Sequence, residues 1–219
     1  MCTAPDAPYP IAAISCQVGD HLLDEFVRNR QEFQMDFLKE KLQPLLFLVA
    51  AIWIVEIVNF SLGHRLTVWG ILPRNLGGLI GIPLAPFIHA GFWHTVSNTI
   101  PLIILGGLTM TMGSKRFWTS TVGITLLSGA FVWLFARGTY HVGASGLMFG
   151  YFGALLARAV IERTIPSIVI AFVTVTLYGG LLWGVLPIRS HVSFEGHLFG
   201  LIAGIAIVWL DRRFRTLQT

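Results

Sequence analysis

The chain has 219 residues, 54% hydrophobic and only 12% charged. A soluble domain carries roughly twice that charged fraction. A mean hydropathy of +0.71 with long uncharged runs therefore excludes an ordinary soluble domain and places the chain in the membrane class. The net charge of +4 and pI near 9.4 do not argue for nucleic acid, because the basic residues lie between apolar runs and read as topology signals.

Residues 1–19 are rich in Pro, Ala and small residues, a composition that predicts poor order. Cys2 and Cys16 lie here without metal-ligand spacing. From Asp20 to Gln43, apolar Leu22, Leu23, Phe26, Val27, Phe33 and Phe37 are interleaved with Asp24, Glu25, Arg28, Arg30, Lys39 and Lys41. This predicts an amphipathic helix with Asp20 as N-cap, either solvated with one greasy face or lying on the membrane surface. The first long apolar run begins near Leu45, too far in for a signal peptide, and no small-residue cleavage site follows it. That segment is expected to stay in the mature protein.

Six apolar segments follow, at 45–62, 95–112, 117–136, 145–161, 165–186 and 196–210. Spanning a bilayer takes about 20 helical residues, with a range of roughly 17 to 25. The first three and the fifth fit. The fourth and sixth are short, so each is expected to start or end below the membrane surface. With the N-terminus inside, eleven Lys and Arg residues fall on the inner side and four (Arg65, Arg74, Arg137, Arg189) on the outer side. This predicts both termini in the cytoplasm, with a bacterial plasma (inner) membrane as the default. The expected organisation is a tail over 1–44, a membrane domain over 45–211 and a short basic tail over 212–219. The connection 63–94 is 32 residues long and carries Trp69, Phe87, Phe92 and Trp93. Most connections run to about 4–6 residues. Its aromatic content predicts a semi-buried, partly helical loop in the outer leaflet.

Polar side chains inside hydrocarbon are costly and face the bundle interior. Glu56 sits in the first span; His94 and Asn98 open the second, Ser145 the fourth, and Glu195 and His197 the sixth. His94 and Asn98, four apart, share one helix face. On the sixth span His197, Gly200 and Gly204 form one stripe, whose glycines allow a close helix approach. Gly146, Gly150 and Gly153 give the fourth span its own small residues. Apart from Glu56, these polar residues lie toward the outer ends of their helices.

A serine needs a base to take its proton, and histidine is the usual one. The attacked carbonyl needs donors for its developing charge, which His94, Asn98 and the Ser145 amide can supply. The N-terminus of a helix at Ser145 adds a favourable partial charge. A short fourth span would leave Ser145 several ångströms below the outer surface. The backbone before it would then be non-helical, which is tolerated only inside protein or beside a water-filled cavity.

Taken together, Gly143-Ala144-Ser145-Gly146, the His197/Gly200/Gly204 stripe, the His94-xxx-Asn98 pair and His89 resemble the rhomboid family of intramembrane serine proteases. The resemblance covers residues 45–210. It implies an all-α, six-transmembrane-helix bundle with a long membrane-associated first loop. By the same resemblance Ser145 is the nucleophile and His197 the general base of a dyad without an aspartate. His94, Asn98 and Ser145 form the oxyanion site, and Gly143, Gly146, Phe149, His89 and Gly200 support it. No cofactor, metal or nucleotide is implied, and the partners are the lipid bilayer and single-pass membrane substrates. Three features depart from the family pattern. Phe149 stands where many members have tyrosine, Trp69 is followed by Gly70 rather than arginine, and the acidic residue often found near the loop around Gly113–Arg116 is missing.

Two other readings compete. A rhomboid-like protein that binds membrane clients without cutting them would be expected to lack Ser145 or His197. A transporter or metal-binding protein using His89, His94, His141 and His197 lacks both an inverted repeat and ligand spacing. The run Gly107–Lys115 lacks the ending of a phosphate loop. Glu56 is expected to find a partner within the bundle, Glu195 to favour the start of its helix, and His141 only to line the rim of the site.

Overall fold

The computed structural model describes Arg28 and residues 42–187 and 193–216. Apart from Arg28, Leu42 and Gln43, the helix expected over Asp20–Gln43 falls outside the described residues, as do Cys2, Cys16 and Arg189. The described structure is helical, with one isolated antiparallel bridge between Ile71 and His141.

Helix α1 spans Leu42–Ser61. A long connection follows, with 3-10 turns at Arg65–Trp69 and Leu76–Ile80, a short helix α2 at Gly81–Leu84, and a further turn at Ala85–Phe87. Helix α3 is Phe92–Met110 and α4 is Ser114–Phe135. Helix α5 is Ser145–Glu162 and α6 is Ile165–Tyr178, the latter continuing as a 3-10 turn over Gly179–Val185. Helix α7 is Phe194–Thr216. Five helices are long and apolar enough to cross a membrane; a sixth crossing arises if Leu76–Phe87 and Phe92–Met110, bent by 66° at Ile88–Gly91, make one broken span. The chain is a multi-pass integral membrane protein, a helical bundle with five or six candidate spans among the described residues.

Local chemistry sets these boundaries. Asn75 accepts a hydrogen bond from the Gly77 amide and starts its turn. Arg163, with φ of 53°, ends α5, and Thr164 and Ser167 close a reciprocal capping box at the start of α6. The connection is pinned to the C-terminal end of α4. Arg74, itself left-handed at φ 57°, donates through Nη1 to the Ala136 carbonyl at 2.7 Å. The Trp133 indole donates to the Asn75 carbonyl at 2.8 Å. The semi-buried, partly helical loop expected over 63–94 is thus present.

Helix α5 is the axis of the bundle. Two thirds of its span (67%) is buried, against 11% for the span that contains α6. Leu147, Met148, Phe152 and Leu155 pack with Leu102 and Leu105 of α3, Phe117 and Ile124 of α4, and Leu48 and Ile52 of α1. The Tyr151 hydroxyl reaches Thr121 at 2.6 Å. Helix α7 lies against α5 through glycines. A methyl group at Gly200 would overlap the Gly146 carbonyl oxygen, and one at Gly204 the Gly150 carbonyl oxygen. Near the C-terminal end of α5, Arg158 is buried rather than snorkelling, held by Glu162 at 2.9 Å with Asp211 at 4.0 Å.

The sixth apolar segment needs correcting. It read as short because Asp211, Arg212 and Arg213 end the hydropathy window, yet α7 has 23 residues. These charges do not interrupt a helix; Arg212 also donates to the Ile161 carbonyl at 3.3 Å, tying that turn to α5. The fourth segment does stay short. Its 18 residues rise about 27 Å, below the ~30 Å hydrocarbon thickness.

Candidate active site

Helix α5 begins at Ser145, where the chain ahead of it is fixed in a non-helical path by its neighbours. The Gly143 amide donates to the Ala85 carbonyl at 2.9 Å, and the Ala144 amide to His89 Nε2 at 3.2 Å. Gly143 takes φ of 112°, a conformation that favours glycine. A side chain there would also meet the His94 ring at 2.8 Å. His89 is held in turn from α1, where the Asn59 amide donates to the His89 carbonyl at 2.8 Å. Its ring meets His94 edge to face at 5.1 Å.

Ser145, His94, Asn98 and His197 line one cavity of about 580 Å³, walled by Met148, Phe149 and the 3-10 turn after α6. Ser145, His94 and His197 also line a second, of about 660 Å³, which opens among Arg137, Thr139, Tyr140 and His141. The site therefore has one mouth toward α6 and one toward the α4–α5 connection.

His197 sits on the first turns of α7 and is clamped on two sides. Its ring stacks on Phe149 at 4.2 Å with 7° between the planes. Its Nδ1–H donates to the Gly184 carbonyl at 2.9 Å. Because a carbonyl can only accept, this bond places the proton on Nδ1 and leaves Nε2 as a free lone pair. Ser145 and His197 share both cavities without a direct hydrogen bond, a separation typical of sites that tighten only when substrate binds. The Asn98 amide nitrogen is buried without a partner, beside Gly143. An unpaired buried donor is costly, and here it is available to an oxygen placed next to Ser145.

His141 is corrected by the structure. It does not merely line the rim; it is buried and doubly bonded, through Nδ1 to Ser193 Oγ at 2.7 Å and through Nε2 to the Arg137 carbonyl at 3.0 Å. Burial lowers its pKa from the ordinary histidine value, opposed by the Arg137 carbonyl and the Glu195 charge. Glu195 stands in the first turn of α7 and pairs with Arg137 Nε at 3.1 Å. Glu56 does not have the bundle partner expected for it. Both its carboxyl oxygens are buried without a hydrogen bond, and His64 Nδ1 is 4.0 Å away. Among the described residues no three His, Cys, Asp or Glu side chains cluster as a metal site.

The Rhomboid domain profile matches residues 76–214, more than half of the chain. An uncharacterized protein of Mycobacterium tuberculosis (strain ATCC 25618 / H37Rv) is 38% identical over 187 residues, covering 80% of this chain and 78% of its own length. The chain belongs to the rhomboid family. Other relatives carry the family's name. Bacillus subtilis (strain 168) has the "Putative rhomboid protease YdcA", 28% identical across 78% of this chain and 89% of its own length. Arabidopsis thaliana has the chloroplastic Rhomboid-like protein 11, 29% identical across 84% of this chain and 72% of its own length. Membership makes this rhomboid one of a family of intramembrane proteases.

Within this rhomboid, Ser145, His197, His94, Asn98, Gly143 and Phe149 meet around the cavities, while His89 supports from behind through Ala144. Gly146 and Gly200 are packing contacts between α5 and α7. Sequence reasoning missed Gly184, Ser193, Arg137 and Asn59. Ser193 had a readable signal, an N-cap residue directly before an apolar helical run. Gly184 had none beyond a glycine-rich stretch.

Proposed function

We propose that the chain is a serine endopeptidase that cleaves single-pass membrane substrates near the outer leaflet, with Ser145 and His197 as its dyad. The observation that carries this reading is the imidazole whose Nδ1 is satisfied by Gly184, with Nε2 free in a cavity shared with Ser145. His197 Nε2 takes the hydroxyl proton as Ser145 Oγ bonds to the scissile carbonyl carbon. The resulting oxyanion is held by the Asn98 amide, His94 and the Ser145 backbone N–H. The intermediate then expels the amine, which receives the proton back from His197. Water frees the acyl group by the same route in reverse.

An intact helix hides its carbonyls, so the substrate unwinds locally and enters from the α6 side, where the cavity of about 580 Å³ opens. Water reaches Ser145 by the other mouth. Both termini lie in the cytoplasm, across a bacterial plasma membrane. The test is cleavage of a model transmembrane peptide by purified protein in detergent. Ser145→Ala and His197→Ala should each abolish cleavage with insertion intact. Cleavage retained in either variant rejects the dyad.

A further inference from the structure

The nucleophile and the base sit on different helices, and what keeps them in register is a separate question from their chemistry. The stretch leading into Ser145 sends two ties to the start of α7. One is the Arg137–Glu195 ion pair at 3.1 Å, with the Arg137 guanidinium 5.5 Å over the Phe194 ring. Arg137 is 38% exposed, so the ion pair is screened, and the Arg137 amide adds a long hydrogen bond to Glu195 Oε1 at 3.4 Å. The other is His141 to Ser193 at 2.7 Å, and there the imidazole is buried.

The second tie has a defined direction. The Arg137 carbonyl can only accept, so His141 carries its proton on Nε2 and leaves Nδ1 bare. Ser193 O–H then donates to Nδ1. The same Ser193 oxygen accepts the Gly196 amide at 3.1 Å, while the Ser193 carbonyl accepts the His197 amide at 3.2 Å. Ser193 is thus the N-cap of α7, and its cap hydroxyl is spent on a residue four positions before Ser145.

We infer that His141, acting through Ser193, is a positioning residue that seats the His197 helix against the nucleophile-bearing connection. The inference rests on the dyad reading for its catalytic consequence, not for its structural one. Ångström-scale misplacement of a reacting group costs on the order of 100-fold in rate. In detergent with a transmembrane peptide, Ser193→Ala should lower kcat by ~10–100-fold with KM changed by less than about twofold. Ser193→Thr, which keeps a capping hydroxyl, should recover kcat to within about threefold of wild type. His141→Leu should match Ser193→Ala, and the double variant should be no worse than either. Wild-type kcat in Ser193→Ala, or equal loss in Ser193→Thr, overturns the inference.

A second readout needs no turnover. In a Ser145→Ala background, amide exchange over 194–200 should speed up about tenfold with Ser193→Ala and stay slow with Ser193→Thr. Unchanged exchange there overturns the inference, as does equal loss of protection along α5, which would mark a general role in the fold. A wild-type chain that cleaves nothing sinks the dyad and leaves this exchange result to decide the tie.

Discussion

Helices α7 and α6 flank the same central helix and are held by opposite means. Helix α7 meets α5 backbone to backbone, with Gly200 and Gly204 set against the Gly146 and Gly150 carbonyls. Helix α6 buries only Ser167, Ala171 and Thr174, while Phe172 is 71% exposed and Ile165 79%. An added side chain would overlap backbone atoms, so the glycine seam tolerates no added volume. The other contact is loose in that few α6 side chains are buried in it. His197 sits on the tight side; the cavity it shares with Ser145 is walled in part by the turn that prolongs the loose one.

That contrast can be broken from either side. The largest effect is expected at Gly204→Leu, where the new side chain meets the Gly150 carbonyl and the helices cannot stay packed. The folded fraction in detergent, read by size exclusion and thermal melting, should collapse; a native melt would show the seam to be slack. Next is Asn98→Ala, which should leave the melt unchanged and cost about 10²–10³ in kcat, by analogy with loss of one oxyanion donor in soluble enzymes. Arg74→Ala should be smaller. It removes guanidinium bonds to the Ala136 and Leu134 carbonyls, and a bond to a charged group contributes about 1.5–3 kcal/mol before solvent takes its share of this partly exposed pair. Amide exchange over residues 65–87 should rise, with α5 unaffected. Smallest is Phe172→Ala on the lipid-facing side of α6, expected within about 0.5 kcal/mol of wild type in detergent melts. A loss of several kcal/mol there would mean the loose wall is not loose.

The spans were legible because hydropathy is a solvent property, and the bilayer imposes one length on every crossing. Ser145, His94, Asn98 and His197 were legible because polar side chains in such segments have few other uses. What stayed hidden has a common cause. Gly184 contributes a carbonyl and Arg137 contributes one too, and every residue has a carbonyl; only the folded path says which are spent on a histidine. His141 was misjudged for the same reason, since its partner lies 52 positions away. The length of α7 was underestimated because charges end a hydropathy window without ending a helix. Glu56 is buried with no hydrogen bond to either carboxyl oxygen, and the His64 imidazole stands 4.0 Å from it.

Phe149 has no hydroxyl with which to steer the ring stacked on it, so the orientation of His197 within its plane falls to Gly184. Gly184 stands on the turn that prolongs α6. On the proposed reading, a displacement of that turn to admit a guest would also move the carbonyl that tethers the imidazole, so admission and proton transfer would share one short stretch of chain. Cross-linking α6 to α3 in the closed position after a substrate is loaded should therefore leave single-turnover cleavage intact while stopping every later round. A cross-link that blocks the first round as well would refute this coupling.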